Sequence, residues 1–208
     1  MSLPLDHLVF GVLDLERGVA DLERLLGVRA SPGGRHPGRG THNALLALGE
    51  DRYLEIIAPD PDPPAPAGPR SFGLDALRSP RLLTWAAKSR ELERVVSKAR
   101  ALGVDLGVPG DGGRRTPDGI ELRWRYTSVH GDRLGGLVPF FIDWGETPNP
   151  ARSAARGAGL ARLRAEHPDP ARVQAVLEGL GISMPVSPGT TPALVATLHT
   201  PRGEVELR

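Results

Sequence analysis

Few side chains able to do chemistry stand out along this chain, and their placement is uneven. The 208 residues contain no cysteine, which excludes thiolate nucleophiles, disulfides, zinc fingers and iron–sulfur clusters and leaves His, Asp, Glu or water as metal ligands. His7 lies inside the apolar run from Leu5 to Val12, and Glu55 inside a second run from Tyr53 to Ala58. Side chains alternate along a strand, so His7 shares a face with Val9 and Gly11, and Glu55 with Tyr53 and Ile57. A carboxylate on such a strand is costly unless it is paired, hydrogen-bonded or on a metal. Two readings stand: the pair is functional, or Glu55 faces solvent on an edge strand and His7 is a hydrogen-bonded core histidine.

Further candidates are scattered. Arg123 and Arg125 flank Trp124, which puts the arginines on one strand face and the aromatics on the other; such a pair could hold a carboxylate, or be solvated. Trp85 and Phe140 read as cavity wall or as core, and Asp143 ends the same run as Phe140. A hairpin centred on Glu50-Asp51 sets residue 46 opposite Glu55, which leaves His42 ~13 Å from that carboxylate at ~3.3 Å per residue. His42 is therefore expected at the mouth of a cavity or at a strand end. His36 belongs to the glycine-rich stretch Gly33–Gly40, which lacks the Gly-Lys-Ser/Thr of a phosphate-binding loop. There is no Gly-X-Ser-X-Gly element.

The elements that must position these residues recur. Asp14, Ser89 and Asp169 are helix N-cap candidates, 75 and 80 residues apart. Each follows a short apolar run (Leu5–Val12, Leu82–Ala87, Leu160–Arg164) and precedes a helical stripe that stops at Gly27, Gly103 or Gly181. Strand-like stretches follow every helix: Asn43–Leu48 and Tyr53–Ala58; Ile120–Val129 and Leu137–Asp143; Ala193–His199 and Val205–Leu207. The unit reads β-α-β-β-β, an α+β pattern rather than a doubly wound sheet. Six prolines between Pro59 and Pro69 mark an extended linker. The expected organisation is a domain over 1–150, with modules at 1–58 and 80–145 and a linker at 59–70, followed by a third module over 151–208.

Composition narrows the partners. With 26 basic and 25 acidic residues the formal charge is +1, so no net field attracts a nucleic acid. Apolar runs fall far short of the ~20 residues that span a bilayer. No secretory pattern opens the sequence, and the expected compartment is the cytoplasm.

Tandem β-α-β-β-β modules with a histidine in the first strand and a glutamate in a late strand resemble the vicinal oxygen chelate superfamily, which includes glyoxalases and extradiol dioxygenases. The stretches Leu5-Asp6-His7-Leu8-Val9, Gly33–Ala44, Tyr53–Pro59 and Pro139–Trp144 are closest to the glyoxalase-like domain proteins of bacteria. The resemblance implies two paired modules forming a cup-shaped sheet, with a third appended, and a divalent metal (Zn, Ni, Mn or Fe(II)) held by His7 and Glu55. A lyase, isomerase or dioxygenase would use it on a small oxygenated molecule, with Glu55 also moving protons. The second module breaks the ligand pattern: seven residues before its cap stands Leu82, and its last strand carries Phe140 and Phe141. The other implied reading is thus a metal-free binding protein whose cup is walled by Trp85 and Phe140, with Arg123 as anchor and His42 and Asp143 near the ligand. An odd third module further implies a homodimer.

Overall fold

The computed structural model describes residues 5–36, 38–62, 66–116 and 118–208. The centre of the proline-rich linker, 63–65, lies outside them. In chain order the elements are β1 (Leu5–Gly11), α1 (Leu15–Leu26), β2 (Ser31–His36), β3 (Thr41–Ala47) and β4 (Tyr53–Pro59); then β5 (Arg81–Lys88), α2 (Leu92–Ala101), β6 (Gly110–Arg115), β7 (Glu121–Tyr126) and β8 (Phe140–Asp143); then β9 (Gly159–His167), α3 (Pro170–Gly179), β10 (Val186–Pro188), β11 (Ala193–Thr200) and β12 (Gly203–Leu207). The β-α-β-β-β order therefore occurs three times.

The helix ends follow local chemistry. Asp14 caps α1 by accepting the Arg17 N–H, and Gly27 closes it at φ 75°, its N–H donating to the Glu23 carbonyl. Asp169 caps α3 through the Arg172 N–H, with Pro170 in the first turn. At α2 the cap position is Glu91 rather than Ser89, and its side chain makes no capping bond. Ser89 instead uses its hydroxyl to accept the Glu91 N–H two residues on, a turn that leads into the helix.

The first two units join as a closed barrel, in the order β1-β4-β3-β2-β6-β7-β8-β5 and back to β1. The expected cup is thus shut, through the pairing of Arg35 on β2 with Arg115 on β6. The third unit forms a separate sheet, β10-β9-β11-β12. It is tied to the barrel by the Leu82 N–H donating to the Arg208 carbonyl, 2.7 Å. Alternation sorts the strands into two faces. Leu8, Leu46, Leu54, Ile56 and Trp85 point outward into one apolar core shared with the helices and the third sheet. Val9, Ile57, Ala86, Phe140 and Ile142 point inward.

Candidate functional site

The barrel interior is a cavity of about 500 Å³, counting the open solvent at its mouth, and His7, His36, Asn43, Tyr53, Glu55 and Arg114 lie on its wall. Phe72, Trp124, Tyr126, Phe140 and Trp144 supply aromatic surface.

His7 is placed by an irregularity of β1. Leu5 pairs with Ala87 and His7 with Ala86, so two steps on β1 face one on β5 and Asp6 is the extra residue. Asp6 thereby turns to the same side as its neighbour, and its Oδ1 lies 2.7 Å from His7 Nδ1. The other carboxylate oxygen accepts Trp144 Nε1–H at 3.1 Å and an Asn149 amide N–H at 2.8 Å. With Nδ1 against Asp6, His7 Nε2 is left facing Glu55 Oε2 at 3.7 Å. The His7 ring stacks on Tyr53, centroids 4.6 Å apart, and meets Phe140 edge-on at 5.4 Å.

Glu55 is held from the far side. Leu45 pairs with Glu55, one residue away from the expected register, because a five-residue turn, 48–52, joins the strands. Thr41, Asn43 and Leu45 therefore share the face of Glu55, and Asn43 Nδ2 donates to its Oε1 at 2.5 Å. His36 Nε2 stands 4.0 Å from that oxygen, while His36 Nδ1 contacts the Thr41 hydroxyl at 2.9 Å. Burial pushes the His36 imidazole down to about 4, against the pull of Glu55, with Arg114 and Arg39 adding to the fall. It is neutral at pH 7. Burial, helped by the charges of Asp6 and Glu55, raises the Tyr53 phenol well above its ordinary value, so it stays a donor. Burial lowers Arg114, opposed by Tyr53 and Glu55; its guanidinium donates to the Gly33 carbonyl. At the mouth, Arg39 lies over the Tyr126 ring, 4.6 Å from its centroid.

The glycines of β2 and β6 make room for this wall. A Cβ on Gly33 would stand 2.1 Å from Asn43 Oδ1, and one on Gly112 would stand 2.3 Å from Trp124 Nε1. These strands are glycine-rich because cavity side chains lie across them.

His7, Glu55 and Phe140 thus meet in one cavity, and the other expected residues do not join them. His42 points to the opposite face, where it borders a shallow depression with Leu15, Val19 and Arg29. The one-residue change of register decides that outcome: with residue 46 opposite Glu55, His42 would share its face, whereas 42 and 45 differ by an odd number and cannot. Trp85 pairs with Leu8 and is fully buried in the outer core, its Nε1–H donating to the Leu137 carbonyl at 2.9 Å. Arg123 lies outside the barrel, where it pairs with Glu121 at 3.2 Å; Trp124 and Tyr126 occupy the inner face of that strand. Asp143 accepts the Gly145 N–H at 2.9 Å and borders an outer groove with Arg123. The sequence reading missed Asp6, Asn43, Arg39 and Arg114. Asp6 precedes His7 directly, but only the strand irregularity makes it a partner.

As a metal centre the donor set is incomplete. His7 Nε2 and Glu55 Oε2 are proper donors, and Asp6 on Nδ1 is the partner that a ligating histidine has. Among the described residues, however, no group of three or more His, Asp or Glu side chains is placed to hold a metal ion. A catalytic zinc takes three protein ligands. The second unit faces the cavity with Phe140 and Ile142.

The sequence profile of the glyoxalase-like domain matches residues 5–181. The chain belongs to this family. The glyoxalase-like domain places it in the vicinal oxygen chelate superfamily, and solved structures agree in fold. A hypothetical protein from Staphylococcus aureus is similar with a TM-score of 0.66 at 13% identity, over 99% of this chain and 84% of that one. A variant methylmalonyl-CoA epimerase from Streptomyces coelicolor, in complex with 2-nitronate-propionyl-CoA, gives 0.50 at 17% identity, over 72% and 100%. The epimerase from Mycobacterium tuberculosis gives 0.45 at 19%, over 68% and 88%. At these identities the first two show a likeness of fold alone. No curated protein matches the sequence of this glyoxalase-like chain.

Proposed function

We propose that this glyoxalase-like protein is an isomerase or lyase that moves a proton on a small oxygenated molecule bound inside the barrel. The observation that carries this reading is the His7–Glu55 pair: two bases 3.7 Å apart, one with its tautomer set by Asp6 and the other anchored by Asn43. In the proposed step, the Glu55 carboxylate takes a proton from the carbon next to a substrate carbonyl. The electron pair moves onto the carbonyl oxygen, where Arg114 and the Tyr53 hydroxyl stabilise the charge. The proton then returns to carbon from Glu55, or from His7 after transfer to Nε2.

A divalent metal (Zn, Ni, Mn or Fe(II)) would supply Lewis-acid chemistry here, but the two protein donors do not make a complete site, and no step is routed through it. The test is solvent-deuterium incorporation, followed by NMR, into a panel of 2-oxo acids, hydroxyketones and acyl thioesters, with and without added metal. Exchange that is lost in Glu55→Gln supports the reading. No exchange with any substrate class overturns it.

A metal-free binding protein is the second reading, favoured by the aromatic ring of Phe72, Trp124, Tyr126, Phe140 and Trp144 with Arg39 at the mouth. Saturable quenching of tryptophan fluorescence by aromatic carboxylates, without turnover, would select it. For the third unit we propose pairing with its copy in a homodimer; light scattering that gives only monomer at high concentration overturns this.

A further inference from the structure

A second depression lies against the cavity and shares Phe72 and Val129 with it. Its wall carries Arg70, Arg81, His130 and Arg133, with one carboxylate, Asp132, among them. Arg133 is the unusual one. It is 3% exposed, one Nη donates to the Ser128 carbonyl at 2.7 Å, and its Nε has no partner. Among the described residues neither Arg133 nor Arg81 forms an ion pair. The neighbouring Asp132 carboxylate accepts the Gly135 N–H at 2.8 Å, and Arg70 is taken by Asp75 at 2.6 Å. A buried guanidinium with an unmet donor is expensive, and folded proteins retain such a group chiefly where something else completes it.

Backbone strain gathers at the same place. Phe72 at φ 61° and Leu134 at φ 54° are the non-glycine residues of positive φ among those described. One lines the depression and the other follows Arg133. Side chains other than glycine enter this region at a cost, and such strain clusters at ligand sites.

Phe140 joins the two sites. Its ring centroid lies 5.4 Å from that of His7 and 5.8 Å from the Arg133 guanidinium carbon, so the imidazole and the guanidinium are at most about 11 Å apart.

We propose that this depression binds an oxyanion, phosphate or carboxylate, and that the substrate is an oxygenated head bearing an anionic group at the far end. The substrate class rests on the function proposed above; the anion site does not. The experiment is calorimetric titration of the full chain with inorganic phosphate and, separately, with acetate at low salt. Wild type is expected to bind one of them in the millimolar range. Binding should weaken tenfold or more in Arg133→Gln and severalfold in Arg81→Ala, and be retained in Arg133→Lys and Glu55→Gln. Arg81 is exposed, so its variant keeps the test valid if Arg133→Gln fails to fold. No heat beyond dilution with either anion at tens of millimolar overturns the proposal, as does binding indifferent to both arginines. Phosphate or acetate bound by a protein that exchanges no substrate proton would leave the site standing and remove the isomerase reading.

Discussion

Asp6 and His7 are neighbours in sequence, yet both side chains turn to one side of β1, with Asp6 Oδ1 2.7 Å from His7 Nδ1. The extra residue in the β1–β5 ladder makes this contact. Asp6→Asn should expose its value. An amide accepts through one oxygen only, so its NH2 would confront one of the three N–H groups that the carboxylate now satisfies. Urea unfolding should show a loss of about 1–3 kcal/mol, and proton exchange on any substrate identified should slow by roughly 10–100-fold as the His7 tautomer is freed.

His36 should make the protein acid-labile in a defined window. Its folded value of about 4 lies below the ordinary 6.5, so the unfolded chain takes up the proton first as pH falls. The full contribution is present above pH 6.5, declines by about 1.4 kcal/mol per pH unit down to pH 4, and then levels off. Between pH 7.5 and 5, wild type should lose about 2 kcal/mol more stability than His36→Gln, measured by urea unfolding at both values.

Gly33→Ala should disarm Glu55 from a distance. The new methyl would stand 2.1 Å from Asn43 Oδ1, forcing the amide off the carboxylate. Proton exchange or ligand binding should fall by more than the change in unfolding midpoint accounts for. Unaltered function would show that Asn43 does not position Glu55.

Trp85 and Phe140 should part company on substitution. Trp85→Phe leaves the buried Leu137 carbonyl without its donor and should cost about 1–3 kcal/mol of stability, with ligand affinity unchanged. Phe140→Ala should weaken ligand binding, since Phe140 touches His7 and faces the cavity.

Any metal uptake should follow the cavity. Calorimetry with Zn, Ni, Mn and Fe(II) should find binding abolished in His7→Ala and Glu55→Ala and intact in His42→Ala, whose side chain points to the opposite face. Loss in His42→Ala alone would contradict the strand register.

Local chemistry carried much of this protein into view before folding was considered. Asp14 and Asp169 cap helices because a short carboxylate reaches its own backbone, and Gly27 ends one because it tolerates φ 75°. Alternation separated Arg123 from Trp124, and the repeated caps announced three similar units. Signals of this kind act within a few residues, so the sequence displays them directly. The glycine-rich strands β2 and β6 could not be read in this way. Their glycines look like loop residues, and their reason is a side chain that crosses them from another strand, Asn43 over Gly33 and Trp124 over Gly112. With those strands unseen, Arg114 was invisible as a cavity residue, and Arg123 stood in its place as anchor. Which face of each strand turned inward was likewise a matter of register and closure. Leu8 opposite Trp85 sends both into the outer core, and His7 opposite Ala86 sends the imidazole inside. The sequence by itself determined which residues could do chemistry; the closed barrel and one extra residue in β1 decided which of them meet, because those contacts join positions far apart along the chain.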